Sequence, residues 1–133
     1  MKQLIVETNA RIEMIDITGR VQEELDLAHF QSGLCMLYVP HTTAAMTINE
    51  SADPSVRRDV LMVLNKMVPD DAAYRHLEGN SPAHVKASLM GASELVAVEQ
   101  GRLVLGTWQG IFFCEFDGPR KRKLSIKLIP FAV

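Results

Sequence analysis

Aromatic residues are scarce: one Trp, two Tyr and five Phe make up 6% of 133 residues. A nucleic-acid module that stacks bases on aromatic side chains is disfavoured by that count. Charge of one sign is also lacking. Fourteen Lys and Arg face 16 Asp and Glu, for a formal net charge of -2, so no strong field gathers nucleic acid. No apolar run approaches the roughly 20 residues that cross a bilayer, which disfavours a membrane partner. Met1 to Glu7 has no long apolar stretch after Lys2 and reads as a first strand, not a signal peptide. A cytoplasmic protein is the expectation. The two cysteines, Cys35 and Cys114, sit in strand-like apolar runs and read as reduced core residues. Neither has an adjacent histidine, which argues against a thiolate nucleophile. Dinucleotide fingerprint, phosphate loop, zinc-protease helix and nucleophile elbow are all missing.

What is present is an ordinary globular composition, 47% hydrophobic and 23% charged, in a length that suits one domain, residues 1–133. Gln3–Thr8 and Arg11–Ile17 read as strands, with Asn9-Ala10 as a turn that would make them a hairpin. Thr18 is placed to cap a helix running to about Phe30, with Val21, Leu25 and Ala28 on one side. Gly33–Val39 and Ala44–Asn49 read as strands separated by Pro40 and a polar segment. Asp53-Pro54 is a helix start, Pro69 a stop, and Val56, Val60, Val63, Leu64 and Met67 form the stripe expected to be buried. Asp59 lies at the edge of that stripe, facing a groove. Ser81-Pro82 repeats the cap-plus-proline signal and Gly91 ends a short helix with His84 and Ser88 four apart on one face. The last third is strand-like: Ser93–Val98, Arg102 to about Gly106, a run ending at Asp117, and Lys121–Ile129. In the third of these, Phe112, Cys114 and Phe116 alternate with Phe113, Glu115 and Asp117. The expected class is α+β, mainly antiparallel, with about three helices.

The chemistry-bearing residues are dispersed. His41-Thr42-Thr43 joins a metal ligand or proton carrier to two hydroxyl donors, suited to phosphate; a locally bonded polar loop is the bland alternative. His76 falls in a polar connection and His84 in the first turn of a helix, where neutral imidazole is favoured. With His41 they would supply three metal ligands and leave a fourth position open. Glu50, Asp53, Asp59 and Glu115 are carboxylates able to orient a histidine, although Asp53 is explained as a cap and Glu115 as a solvated sheet position. Arg120, after the Asp117-Gly118-Pro119 turn, is a candidate phosphate clamp. Lys121-Arg122-Lys123 reads as a solvated edge or a subunit contact. Trp108 and Gln109 lie in a bend flanked by Gly106 and Gly110. They would stack on and read a heterocycle, or serve core or oligomer packing.

Three ordered segments carry a resemblance. They are His41-Thr42-Thr43-Ala44-Ala45 through Asn49-Glu50 to Asp53-Pro54 and Asp59; His76, Gly79-Asn80 and Ala83-His84; and Leu105 to Gly110 with Glu115 to Arg120. Over nearly its whole length the chain resembles the YjbQ-like (UPF0047) family, whose members are often labelled secondary thiamine-phosphate synthases. The resemblance implies a YjbQ-like antiparallel β-sandwich and a homotrimer with sites near subunit boundaries, so that an isolated chain lacks a complete pocket. It implies a catalytic set of His41, His76, His84, Asp59 and Glu115, with the three histidines able to hold a divalent metal, zinc or magnesium. Thr42, Thr43, Asn49, Asn80, Ser88, Thr107, Trp108, Gln109 and Arg120 would bind a phosphorylated small molecule, and Glu50 would support them. The implied reaction joins an aminopyrimidine diphosphate to a thiazole phosphate and releases pyrophosphate. A metal-dependent hydrolase of a phosphorylated small molecule, or a non-catalytic metal- or ligand-binding protein, are the alternatives. All require that His41 and His84 meet in space.

Overall fold

One strand organises the structure. In the computed structural model, which describes residues 1–131, strand β7 (Gln109–Glu115) is buried on both faces. Its apolar residues alternate between two cores. Ile111 and Phe113 face one; Phe112 and Cys114, with Phe116 just beyond the strand, face the other. That is the period-two arrangement the sequence predicts, and it makes β7 the centre of a three-stranded sheet, β2-β7-β4, with β2 (Glu13–Asp16) and β4 (Ala44–Glu50).

The second sheet has five strands in the order β1-β8-β3-β5-β6. They are β1 (Lys2–Glu7), β3 (Gly33–Tyr38), β5 (Ser93–Glu99), β6 (Arg102–Leu103) and β8 (Lys121–Pro130). All pairings are antiparallel. The two sheets stack through Val6, Cys35, Leu37, Val96, Val98, Leu124 and Ile126 on one side and Ala44, Met46, Ile111 and Phe113 on the other. Helix α1 (Thr18–Leu27) closes one end of this core with Val21 and Leu25. Helices α2 (Pro54–Met67) and α3 (Ser81–Met90) cover the other face of the small sheet. The expected α+β sandwich with three helices is the fold observed. No helix is long and apolar enough to cross a membrane among the described residues. Both cysteines are free and buried, and burial pushes their thiols up to about 11 at Cys35 and about 12 at Cys114.

Four local expectations are corrected. Strands β1 and β2 form no hairpin: β1 pairs with β8 and β2 with β7, in different sheets. Asn9 and Ala10 instead donate their amides to Glu13 Oε2, so the connection is a crossing between layers. Thr18 does not cap α1; its hydroxyl donates to Asp16 and accepts from the Ile111 amide. The stripe Val56, Val60, Val63, Leu64 and Met67 on α2 is buried only in part, through Leu64 and the half-buried Val60. Val63 and Met67 are exposed, and the inward face carries Arg57, Leu61 and Leu64. Finally, the N-cap of α3 is Asn80 and not Ser81, and its side chain makes no cap bond.

Other sequence signals hold. Asp53 caps α2, accepting from the Ser55 amide at 2.9 Å, with Pro54 following. The β5–β6 turn uses Gln100 and Gly101, both at positive φ (51° and 75°), as a two-residue hairpin turn of this twist requires. His29 (φ 51°) ends α1 in the left-handed conformation, with its amide on Asp26 O and that of Phe30 on Leu25 O. His29 thus terminates α1 through its backbone.

Candidate functional site

Strand β3 ends at Tyr38, Pro40 turns the chain, and the His41-Thr42 segment crosses to β4. Helix α3 packs on β4 and ends at Gly91, whose carbonyl accepts from the Met46 amide. Between these pieces lies a cleft of about 510 Å³ lined by His41, Thr42, Ala44, His84, Ala87, Ser88, Gly91 and Ala92. His41 and His84, 43 positions apart in sequence, therefore line one cleft. His76 joins them from the preceding loop: its ring meets His84 edge-on, with centroids 5.2 Å apart. His76 Nε2 lies 3.8 Å from Glu78. Ser88, one turn along α3, donates its hydroxyl to the His84 carbonyl at 3.0 Å and keeps acceptor capacity at the cleft.

Beneath His41 is a buried ion pair. Glu115 is wholly inaccessible and Arg122 is 2% exposed. The Arg122 guanidinium holds the carboxylate with Nε and NH2. Its NH2 also donates to the Thr43 hydroxyl at 2.9 Å and the Thr43 carbonyl at 3.3 Å. Glu115 accepts further from the Thr8 hydroxyl at 2.7 Å and the Asp117 amide at 3.1 Å. Burial pushes the Glu115 carboxyl up, but the bonds from Arg122, Thr8 and Asp117 outweigh it and hold the group below its ordinary value. Glu115 is thus neither a solvated sheet residue nor a group facing the cleft. It fixes the floor. Thr43 belongs to the same floor, while Thr42 is exposed at the rim.

Asp117 extends the network outward. Its carboxylate accepts from Asn80 Nδ2 at 2.9 Å and from Arg120 NH2 at 3.1 Å, and its carbonyl accepts from Arg120 Nε at 2.9 Å. Arg120 is half-exposed and close enough for its charge to act on His41. Asn80 Oδ1 is buried without a partner among the described residues.

The remaining expected residues lie elsewhere. Asn49 and Glu50 end β4, paired with Gly110 and Gln109 of β7. Six residue steps along an extended strand put them about 20 Å from the Ala44 end. Gly110 permits this corner's close packing, since a Cβ there would sit 2.5 Å from that of Ser51. The Ser51 amide donates to the Trp108 carbonyl at 2.9 Å, and Gln109 Oε1 accepts from the Gly106 amide at 2.7 Å. Trp108 is 64% exposed on a tight turn, outside the core, and stacks on no ring among the described residues. Thr107 is exposed beside it. Glu50 Oε2 is buried without a partner among the described residues. Asp59 is exposed on α2, beside a shallow apolar groove lined by Val56, Val60, Val63 and Leu64. One chain therefore carries two clusters at opposite ends of β4, not one pocket.

The three histidines expected to hold a metal make their own contacts within the chain. His41 Nε2 already accepts a hydrogen bond from the Lys123 amide at 2.8 Å. Among the described residues no three His, Cys, Asp or Glu side chains come together in a metal-binding arrangement.

Sequence reasoning missed Arg122 as an individual, along with Thr8, Asp117 and the buried Lys86. Arg122 had a signal: in β8 it shares the inward parity of Leu124 and Ile126, where a charge demands a buried partner.

Comparison with known proteins gives a consistent picture. The model of the family described as "UPF0047 protein YjbQ-like" matches residues 2–130. The UPF0047 protein YugU of Bacillus subtilis is 52% identical over 130 residues, covering 97% of this chain and 98% of the relative. A UPF0047 protein of Methanocaldococcus jannaschii is 48% identical over 124 residues, covering 93% and 90%. Among solved structures, an uncharacterised conserved protein of the YjbQ/UPF0047 family from Clostridium acetobutylicum superposes with a TM-score of 0.94 at 49% identity, covering 97% of this chain and all of that one. A conserved hypothetical protein from Thermus thermophilus gives 0.91 at 42% identity, covering 97% and 100%. The chain belongs to the YjbQ-like UPF0047 family.

Proposed function

We propose that the chain is a phosphate-handling transferase that joins an aminopyrimidine diphosphate to a thiazole phosphate and releases pyrophosphate. The observation that carries this reading is the meeting of His41, Thr42 and His84 at one cleft beside Arg120. The reaction needs no protein nucleophile. The thiazole nitrogen attacks the pyrimidine methylene carbon, the carbon–oxygen bond to diphosphate breaks, and the leaving diphosphate takes the electron pair. What the protein must supply is hydrogen-bond donors aimed at the departing oxygens. Imidazole N–H groups, the Thr42 hydroxyl and the Arg120 guanidinium are donors of that kind. The buried Glu115–Arg122 pair holds the loop that presents two of them.

Homotrimeric assembly is part of the same proposal. Trp108 suits stacking on a planar heterocycle, but within one chain it stands about 20 Å along the sheet from the cleft. A head-to-tail contact that closes into a ring would set the Trp108 corner of one protomer over the cleft of the next. The five-stranded sheet carries exposed Tyr38 and Leu95, apolar surface suited to such a contact.

The test is turnover by purified protein supplied with both substrates, read as thiamine phosphate formed and pyrophosphate released. His84→Ala is expected to lower the rate by about 100-fold or more. Absence of product with the parent protein, or a His84→Ala protein as active as the parent, rejects the proposal.

A further inference from the structure

We infer that His41 serves the cleft as a neutral Nδ1–H donor to an anionic oxygen and is not a metal ligand. The inference rests on the phosphate-binding reading above and adds which atom does what.

The reason begins in the backbone. Strand β3 pairs with β8 in a register running from Gly33 opposite Pro130 to Tyr38 opposite Ser125. Continued by two residues, that register sets Lys123 opposite Pro40. The ladder stops at Tyr38, so the Lys123 amide lacks a strand acceptor there. A backbone N–H left without a partner is costly. The His41 imidazole supplies the acceptor, with Nε2 at 2.8 Å from the Lys123 nitrogen.

That bond fixes the tautomer. A neutral imidazole has one lone pair and one N–H. With the lone pair of Nε2 facing a donor, the proton sits on Nδ1. A metal at Nε2 would displace the Lys123 amide and orphan it. A metal at Nδ1 would require either moving the proton to Nε2, against that same amide, or removing it altogether. Both nitrogens are thereby withheld from a cation, and Nδ1–H is the polar group that the ring offers to the cleft.

The surroundings favour the same state. Burial and then the Arg122 charge lower the tendency of His41 to protonate, against the opposing pull of Glu115. The contact is also rigid at both ends. Arg122 grips Thr43, two residues after His41, and itself adjoins Lys123 in β8. Near the ring stand the Thr42 hydroxyl, which is exposed, and Arg120, whose NH1 is uncommitted among the described residues. A neutral N–H, a hydroxyl and a guanidinium are what an anionic phosphoryl oxygen binds.

The experiment uses the native full chain labelled with nitrogen-15. Long-range proton–nitrogen spectra of the imidazoles near neutral pH report which nitrogen carries the proton, with His41 assigned by comparison with His41→Asn. The expected pattern at His41 is Nδ1 protonated and Nε2 bare, unchanged when Zn²⁺ is added. An Nε2–H pattern, or a zinc-induced shift at either His41 nitrogen, overturns the inference. Pyrophosphate binding gives the second readout. His41→Ala is expected to weaken it about tenfold, and His41→Asn, which keeps an amide N–H near the Nδ1 position, weakens it less. Equal binding by all three proteins also overturns it. The tautomer measurement is independent of turnover, so a failure of thiamine-phosphate synthesis and a failure of this inference give different results.

Discussion

Glu115 extends the inward row of Ile111 and Phe113 on β7, and Arg122 extends that of Leu124 and Ile126 on β8, so their charges meet between the sheets at the end of the core. Removing one partner strands the other without water. Glu115→Gln and Arg122→Met are each expected to cost about 3–5 kcal/mol, whereas the double replacement costs less than the sum because no unpaired charge remains. Denaturant titration of the four proteins checks this. The pH dependence follows from the depressed Glu115 carboxyl. Its contribution is fully present above the ordinary glutamate value near 4.5 and is lost as pH falls through the lower folded value. The acid limb of the stability curve is therefore expected to be shallower in Glu115→Gln, as thermal melts between neutral and acid pH would show. Only half of this pair was legible in the sequence. Arg122 shares the parity of Leu124 and Ile126, which marks it as inward even though the basic run around it reads as a solvated edge. That its partner comes from the other sheet depends on how the sheets stack, which local pattern does not encode.

Helix boundaries were legible because punctuation is local. Asp53-Pro54, Pro69 and Gly91 act within one turn of themselves, and the structure places α2 and α3 between them. Helix orientation was not legible. Apolar residues at 63 and 67 of α2 point outward, and the inward face, rotated by about one residue or 100°, includes Arg57. Arg57 can lie there because its guanidinium sits 4.8 Å over the Phe112 ring and its NH1 donates to the Met14 carbonyl at 3.2 Å. A residue scored as polar thus covers the sheet with its stem and its flat face. The same helix pair buries a second cation. Lys86 of α3 is 2% exposed and donates to Asn65 Oδ1 of α2. Burial first, and Arg11 with it, lowers its tendency to hold a proton, while Asp70 opposes them. A lysine depressed in the folded state binds fewer protons there than in the unfolded chain. Stability therefore rises with pH through the folded value, and the charge is a liability at neutral pH. Lys86→Met is expected to raise stability by about 1 kcal/mol near neutrality, with the gain shrinking toward the ordinary lysine value, because exposed Asn65 regains water. Melting curves at neutral and alkaline pH test the sign and the trend.

Across the whole molecule, the sequence names residues but not distances. The hairpin expected at Asn9-Ala10 fails because β1 and β2 belong to opposite layers, and nothing between them signals a crossing. The site residues divide in a similar way. His41, His76 and His84 reach one end of the small sheet because α3 packs along β4, whereas Asn49, Glu50 and Trp108 are carried to the other end by the length of β4 itself. If the Trp108 corner of one protomer completes the cleft of its neighbour, the two clusters need not be intact in the same chain. Trp108→Ala and His84→Ala proteins, each expected to be inactive alone, would then complement each other. In a randomly mixed trimer, each site needs His84 from one type of chain and Trp108 from the other. About a quarter of the sites satisfy that at equal proportions, since each requirement is met half the time. The measurement is thiamine-phosphate formation after the two proteins are dissociated together and reassembled. Recovery toward a quarter of the parent rate supports a site built across the boundary. A mixture as inactive as its components shows that Trp108 and His84 do not act in one shared pocket, and the assembly part of the proposal falls.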